Sequence, residues 1–230
     1  MPRKLSEHVK GEIEERRKIF QISVKENEII NFEELFGNDH PVHLEIGSGR
    51  GEFLVSQSLL EWKHNFVGVE VDSARLGLIL RLLDEEKHSN VKVLDLFIDS
   101  KTVGHFPENS LKKIHIIQPD PWPKRKHNNR RLINHKFLDM LHKLLQERGM
   151  LEIQTDHEDY GKWILKHLNE REDFVPVYGG VSRIPRHGHI VTYFEEKKMR
   201  EGFKPMYITY RNKVNRESLI VNRESLIVSR

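Results

Sequence analysis

From Pro41 onward the apolar residues of this chain fall into short runs that alternate with longer helical periods. Val42–Ile46, Phe66–Val71, Val91–Leu94, Lys113–Ile117 and Met150–Thr155 are short and rich in aliphatic residues, which predicts strands. Between several of them, Glu52–Leu60, Ala74–Lys87 and Asn134–Gln146 show helical spacing. In the last of these Phe137, Leu138, Leu141, Leu144 and Leu145 share one face, and Gly149 supplies a stop. Strand–helix–strand repetition calls for parallel βαβ units, so the pattern predicts an α/β fold with a mostly parallel, doubly wound sheet. A helix near Asp159–Asn169 leads to a strand at Phe174–Val177. Two late runs, Ile190–Phe194 and Met206–Tyr210, are expected to close the sheet as an antiparallel edge.

The ends of the chain read differently. Residues 1–40 are expected to form an N-terminal helical arm, with Val9, Ile13, Ile19 and Ile22 partly at helical spacing. The main domain then spans 41–212, and 213–230 form a tail in which the heptapeptide Asn215–Val221 is repeated at Asn222–Val228. Two units of seven are too few to specify a coiled coil, and the tail receives no function.

Composition narrows the chemistry. With 38 Lys+Arg against 35 Asp+Glu the net charge is only +3, so any affinity for nucleic acid must come from local patches. The absence of cysteine excludes disulfides, thiolate nucleophiles and Cys-ligated zinc. Among 14 histidines no pair stands at metal-ligand spacing with a matching partner, so no metal is expected. There is no apolar run of about 18 residues and no secretory signal pattern at the N-terminus, which points to a cytoplasmic protein without a membrane partner. Whether it is a monomer or a homodimer stays open.

The first strand runs into Glu45-Ile46-Gly47-Ser48-Gly49-Arg50-Gly51 and then a helix. Glycines there permit positive φ and close approach of a ligand, and the helix start offers free N–H groups. The spacing G-x-G-x-G differs from the dinucleotide fingerprint G-x-G-x-x-G. The second strand ends in Glu70 and Asp72, about twenty residues on, where a carboxylate accepts the ribose hydroxyls of a nucleoside. Glu70 is the first choice and Asp72 the alternative. Glu45 adds an acid suited to an ammonium group. A nucleoside plus an ammonium, without a pyrophosphate cradle, describes S-adenosylmethionine better than a nicotinamide dinucleotide.

The most distinctive stretch follows the fourth strand. Pro119-Asp120-Pro121-Trp122-Pro123 is a loop stiffened by three prolines, which limits where Asp120 and Trp122 can sit. It continues into Lys124–Arg131, where five of eight residues are Lys or Arg, a strip suited to a phosphate backbone. Ligands of a doubly wound sheet bind beyond the carboxyl ends of the strands, which puts Asp120, and Asp156 after the fifth strand, at the same rim. Glu195 is expected to reach that rim from a late strand.

Taken in order, Glu45-Ile46-Gly47-x-Gly49-x-Gly51, Pro119-Asp120-Pro121-Trp122-x-Lys124, Asn128-x-Arg130-Arg131, Thr155-Asp156-x-Glu158-x-Tyr160 and Thr192-x-Phe194-Glu195 resemble the bacterial tRNA (guanine-N7-)-methyltransferase family, over about Glu45 to Arg211. The resemblance implies a Rossmann-like S-adenosylmethionine-dependent methyltransferase fold and methylation of guanine N7 in the variable loop of tRNA. It implies that Glu45, Gly47, Gly49, Glu70 and Asp120 contact the cofactor, with Asp120 the catalytic residue. Lys124, Asp156, Thr192, Tyr193, Phe194 and Glu195 would bind the target nucleotide, and Lys126, His127, Asn128, Asn129, Arg130 and Arg131 the RNA. The chain departs from the family at Phe97, which stands where an adenine-side acid is usual; Asp95 and Asp99 are the nearby acids. An amino-group methyltransferase of the Asp-Pro-Pro-Tyr type, a non-catalytic RNA-binding protein and a nicotinamide-dependent oxidoreductase are the competing readings.

Overall fold

In the computed structural model, which describes residues 6–99, 101–186 and 188–213, the strands are β1 (Gln21–Ile22), β2 (Val42–Ile46), β3 (Asn65–Val69), β4 (Val91–Leu94), β5 (Leu111–Ile117), β6 (Leu145–Thr155), β7 (Phe174–Ser182) and β8 (Met206–Asn212). They form one sheet in the order β1-β4-β3-β2-β5-β6-β8-β7. All neighbours up to β6 are parallel, and β8 pairs antiparallel with both β6 and β7. The predicted α/β architecture is therefore present. The chain winds from β2 outward through β3 to β4, then returns to place β5 on the other side of β2. That reversal opens a crevice at the carboxyl ends of β2 and β5.

Helices cover both faces. On one, the short α2 (Phe32–Phe36) together with α5 (His135–Leu144) and α6 (Glu158–Asn169) buries Phe32, Phe137, Leu138, Leu141, Leu144, Tyr160, Ile164 and Leu168 against Leu44, Ile114, Ile116, Leu151 and Ile153. Asn134 caps α5 by accepting from the Phe137 amide at 3.1 Å, as an N-cap side chain should. On the other face α1 (Glu7–Phe20), α3 (Glu52–Leu60) and α4 (Ser73–Leu82) enclose a second cluster built on Ile13, Phe20, Leu54, Phe66, Leu76, Ile79 and Leu80. The arm thus contributes both core residues and the edge strand β1. Arg16 of α1 donates to the carbonyls of Leu80 and Arg81 at 3.3 and 2.6 Å, satisfying the end of α4.

Several elements differ from the sequence pattern, among them β7, which runs on from the expected Val177 to Ser182. The run Ile190–Phe194, expected as a strand, is a loop entering α7 (Tyr193–Arg200). Thr192 accepts from the Glu195 amide at 3.3 Å and so starts a helix, while β7 takes the edge position beside β8. Helix α4 stops at Leu82, because Leu83 turns into extended backbone and buries its side chain. Strand β6 begins at Leu145, earlier than Met150, because Leu145 pairs with Leu111 before the register shifts. The heptapeptide repeat lies outside the described residues. Among those described, no helix is long and apolar enough to cross a membrane.

Candidate active site

The switch between β2 and β5 holds a cleft of about 410 Å³, lined by Ile46, Gly47, Val69, Glu70, Arg75, Phe97, Ile117, Gln118, Asp120, Trp122 and Arg130 among others. Its floor is the glycine loop. Gly47 has φ +78, and a side chain there would meet nothing within 4 Å, so the backbone is bare toward the cleft. Gly51 has φ +81 and precedes α3, with Ile79 so close that a methyl group would stand 2.9 Å from it. One glycine is open to a ligand and the other to packing.

Glu70 ties the loop down. Its carboxylate accepts from the Gly49 amide at 2.7 Å and from the Val71 and Asp72 amides at 3.0 Å each. The alternative, Asp72, is engaged as the N-cap of α4, accepting from Ala74 and Arg75 at 2.8 and 3.2 Å. Glu70 alone of the two lines the cleft. Glu45, the preceding acid of β2, is 3% exposed, and its Oε2 has no hydrogen-bond partner among the described residues. Burial, reinforced by the charge of Glu70, pushes its pKa up to about 8. Glu45 thus presents a buried carboxyl with one unpartnered oxygen just before the glycine loop.

Phe97 stands at the wall of the cleft, 60% exposed. The neighbouring acids are otherwise engaged. Asp99 accepts from the amides of Lys101 and Thr102, and Asp95 lies near Ser73 at 3.4 Å. An aromatic face, rather than an acid, meets whatever occupies this side.

The proline-rich loop leaves β5 through two strained residues, Gln118 at φ +52 and Trp122 at φ +42. Non-glycine residues hold that region only when their surroundings impose it. Here the Gln118 amide donates to the Gln154 carbonyl at 2.9 Å, and its side-chain oxygen accepts from the Asp156 amide at 3.0 Å. The ends of β5 and β6 are thereby locked together, with exposed Asp120 and half-buried Asp156 on the same rim. Arg131 fixes the far end of the loop. It is 3% exposed, donates to the Pro121 carbonyl at 2.9 Å and to Asp159 at 2.6 Å, and lies over the rings of Tyr160 and Trp163. It is a buttress under the loop and offers no surface to a partner. Lys124, Lys126, Asn129 and Arg130 are exposed on and beside a 3₁₀ turn (Arg125–Arg130), with His127 and Asn128 partly covered. The Arg130 guanidinium sits 5.0 Å over the Trp122 ring.

The Thr192–Glu195 segment divides in the same way. Tyr193 and Phe194 are exposed and Thr192 is half-buried, whereas Glu195 is fully buried. His189 lies 2.9 Å from the Glu195 carboxylate and Tyr207 donates to it at 2.6 Å. Burial alone would raise the Glu195 pKa; hydrogen bonds from His189, Tyr207 and Gln154 outweigh it and hold the carboxyl below the ordinary range. The Tyr193 amide donates to Glu52 of α3 at 2.6 Å, which ties the segment to the helix following the glycine loop. Gln118, Gln154, His189, Tyr207 and Glu52 are the contributors that the sequence pattern passes over. A Gln at the end of each central strand was the one visible signal.

An open sheet with its cleft at the β2/β5 reversal, a glycine loop over it and an acid at the tip of β3 defines a Rossmann-like methyltransferase. Solved structures share this fold. The 16S rRNA methyltransferase KamB superposes with a TM-score of 0.60 at 13% identity, over 85% of this chain and 99% of that one. The 16S rRNA (adenine(1408)-N(1))-methyltransferase of Catenulisporales acidiphilia, solved with its cosubstrate SAM, gives 0.60 at 11% identity over 85% and 94%. Sequence relatives narrow the class. The tRNA (guanine-N(7)-)-methyltransferase of Buchnera aphidicola subsp. Baizongia pistaciae is 34% identical over 83% of this chain and 79% of that protein. Its counterpart in Halorhodospira halophila is 33% identical over 84% of each. A family profile described as "Putative methyltransferase" matches residues 39–207. The chain belongs to the tRNA (guanine-N7-)-methyltransferase family.

Proposed function

We infer that this chain transfers a methyl group from S-adenosylmethionine to N7 of a guanine in tRNA, in the variable loop as the family resemblance implies. The observation that carries the reading is the convergence of Gly47, Glu70 and Asp120 on one cleft whose mouth adjoins the exposed basic turn. When bound, S-adenosylmethionine supplies an electrophilic methyl group. Glu45 would accept its ammonium group, Glu70 its ribose hydroxyls, and the Phe97 ring would pack on its adenine.

Guanine N7 carries a lone pair and no proton, so nothing has to be removed from the nucleophile. The work of the protein is alignment and charge. Holding N7 in line with the methyl carbon is a proximity effect. Positive charge moves onto the guanine ring as the bond forms, and carboxylates at the ring's N1–H and N2–H edge favour it. Asp156 is the acid with the exposure to do this, and Asp120, on the same rim, orients the reacting partners. We assign Glu195 a different part from direct contact with the base. With both oxygens engaged by His189 and Tyr207, it anchors the turn that presents Thr192, Tyr193 and Phe194. Lys124, Lys126, His127, Asn128, Asn129 and Arg130 would follow the RNA backbone, and Arg131 would hold their loop.

The test is incubation of the chain with unmodified tRNA and methyl-labelled S-adenosylmethionine, followed by strand cleavage at 7-methylguanine. Label at a single guanine N7, lost in Asp120→Ala, is the expected result. Label on an exocyclic amino group, or none on any guanine N7, would reject the reading.

A further inference from the structure

We propose that His43, Glu61 and His64 form a binding site for one divalent transition-metal ion of the zinc type, beneath the sheet and apart from the methyl-transfer cleft. His43 points from β2 into the protein, with its side chain 2% exposed. Glu61 and His64 come from the tight turn between α3 and β3. The Nδ1 of His43 and the Nδ1 of His64 stand 3.4 and 3.7 Å from Glu61 Oε2. All three ligand atoms lie within 4.8 Å of one another.

Two observations separate this group from an ordinary hydrogen-bonded cluster. First, all three atoms are buried and none has a hydrogen-bond partner among the described residues. Desolvated nitrogen and oxygen atoms that face one another without bonding are an expense unless something joins them. Second, the two separations to Glu61 are close to the edge of a tetrahedral site, roughly 3.4 Å for bonds of about 2.0–2.2 Å. Two imidazoles and one carboxylate select zinc or a neighbouring borderline ion over magnesium or calcium, which prefer oxygen.

The frame is rigid. The His64 amide donates to the Glu61 carbonyl at 2.8 Å, and the Asn65 amide to the Pro41 carbonyl at 2.9 Å. The Asn65 side chain bonds Asn38 at 2.8 Å, and His43 pairs with Phe66 across the sheet. Of the cations nearby, Lys113 stands 3.8 Å from the other oxygen of Glu61 and equally far from Glu152, which shares its charge, and Lys112 acts on both imidazoles as well. Glu61 and His64 are 29% and 32% exposed, so an ion can enter from solvent and keep water as its fourth ligand. The ion would pin the α3–β3 turn to β2. His43 lies three residues before Ile46, about 10 Å along the strand from the glycine loop.

The full-length protein, stripped of metal by dialysis against chelator, is titrated with Zn²⁺ by calorimetry and with Co²⁺ by visible absorption. One ion per chain is expected, with the intense d–d bands of four-coordinate cobalt and a rise in melting temperature on adding zinc. Glu61→Gln and His64→Gln, both at partly exposed positions and checked for folding by circular dichroism, should each lose more than about a hundredfold in zinc affinity. Absence of stoichiometric binding overturns the proposal. So does binding that persists in both variants, which would place the ion on other histidines.

Discussion

Glu45→Gln removes a buried charge while keeping the size of the side chain, and its consequence follows from the pocket. The carboxyl has a pKa of about 8 in place of 4.5, chiefly through burial. The folded protein therefore binds this proton more tightly than the unfolded chain does. Stability from this group is greatest at low pH, falls as pH rises from about 4.5 to about 8, and is level above that. At about 1.36 kcal/mol per tenfold, the ceiling of the loss is about 5 kcal/mol. Relaxation and water entry around a buried charge bring a realistic figure to about 2–3 kcal/mol. Glutamine cannot ionise, so the ligand-free variant should match the parent near about pH 5 and exceed it at about pH 9. For a chain of this size that is roughly 5–10 °C in melting temperature. Saturating S-adenosylmethionine should reverse the order, because an ammonium partner relieves the parent's carboxylate and gains little from an amide. Differential scanning calorimetry across the pH range, with and without ligand, reads both effects. A variant that melts below the parent at every pH, or a gap that does not change with pH, would refute the argument.

Arg131 and Arg130 are adjacent in sequence and should behave oppositely. Arg131→Met should lower stability by about 2–3 kcal/mol through loss of the bonds to Pro121 and Asp159, without altering the salt dependence of RNA binding. Arg130→Ala should leave the melting temperature unchanged and reduce the slope of log affinity against log salt by about 0.9, measured by filter binding at several ionic strengths. Gly51→Ala should destabilise by about 1–3 kcal/mol in a denaturant titration, since its φ of +81 and the 2.9 Å approach to Ile79 both exclude a methyl group.

Most of the sheet follows from local patterning along the chain. Alternating strand and helix periods are local properties, and the strands from Val42 to Thr155 emerge where β-branched and aliphatic residues cluster between helical stretches. The glycine loop and the proline-stiffened Asp120 were legible for the same reason: their conformations are restricted within a few bonds. Burial and partnership across the fold were not. Ile190–Phe194 has strand composition, yet Thr192 starts a helix there and β7 takes the edge. Arg131 reads as one more charge in a basic run, but Tyr160, Trp163 and Asp159 enclose it once α6 docks. Glu195 reads as a rim acid until β8 brings Tyr207 against it. His43, Glu61 and His64 have no recognisable spacing along the chain, because one comes from a strand and two from the turn that leads to its neighbour. Local patterning selects the elements; which side chains end up desolvated together is decided only when strands distant in sequence pair, and in this protein that pairing sets both the charge of Glu45 and the chemistry around it.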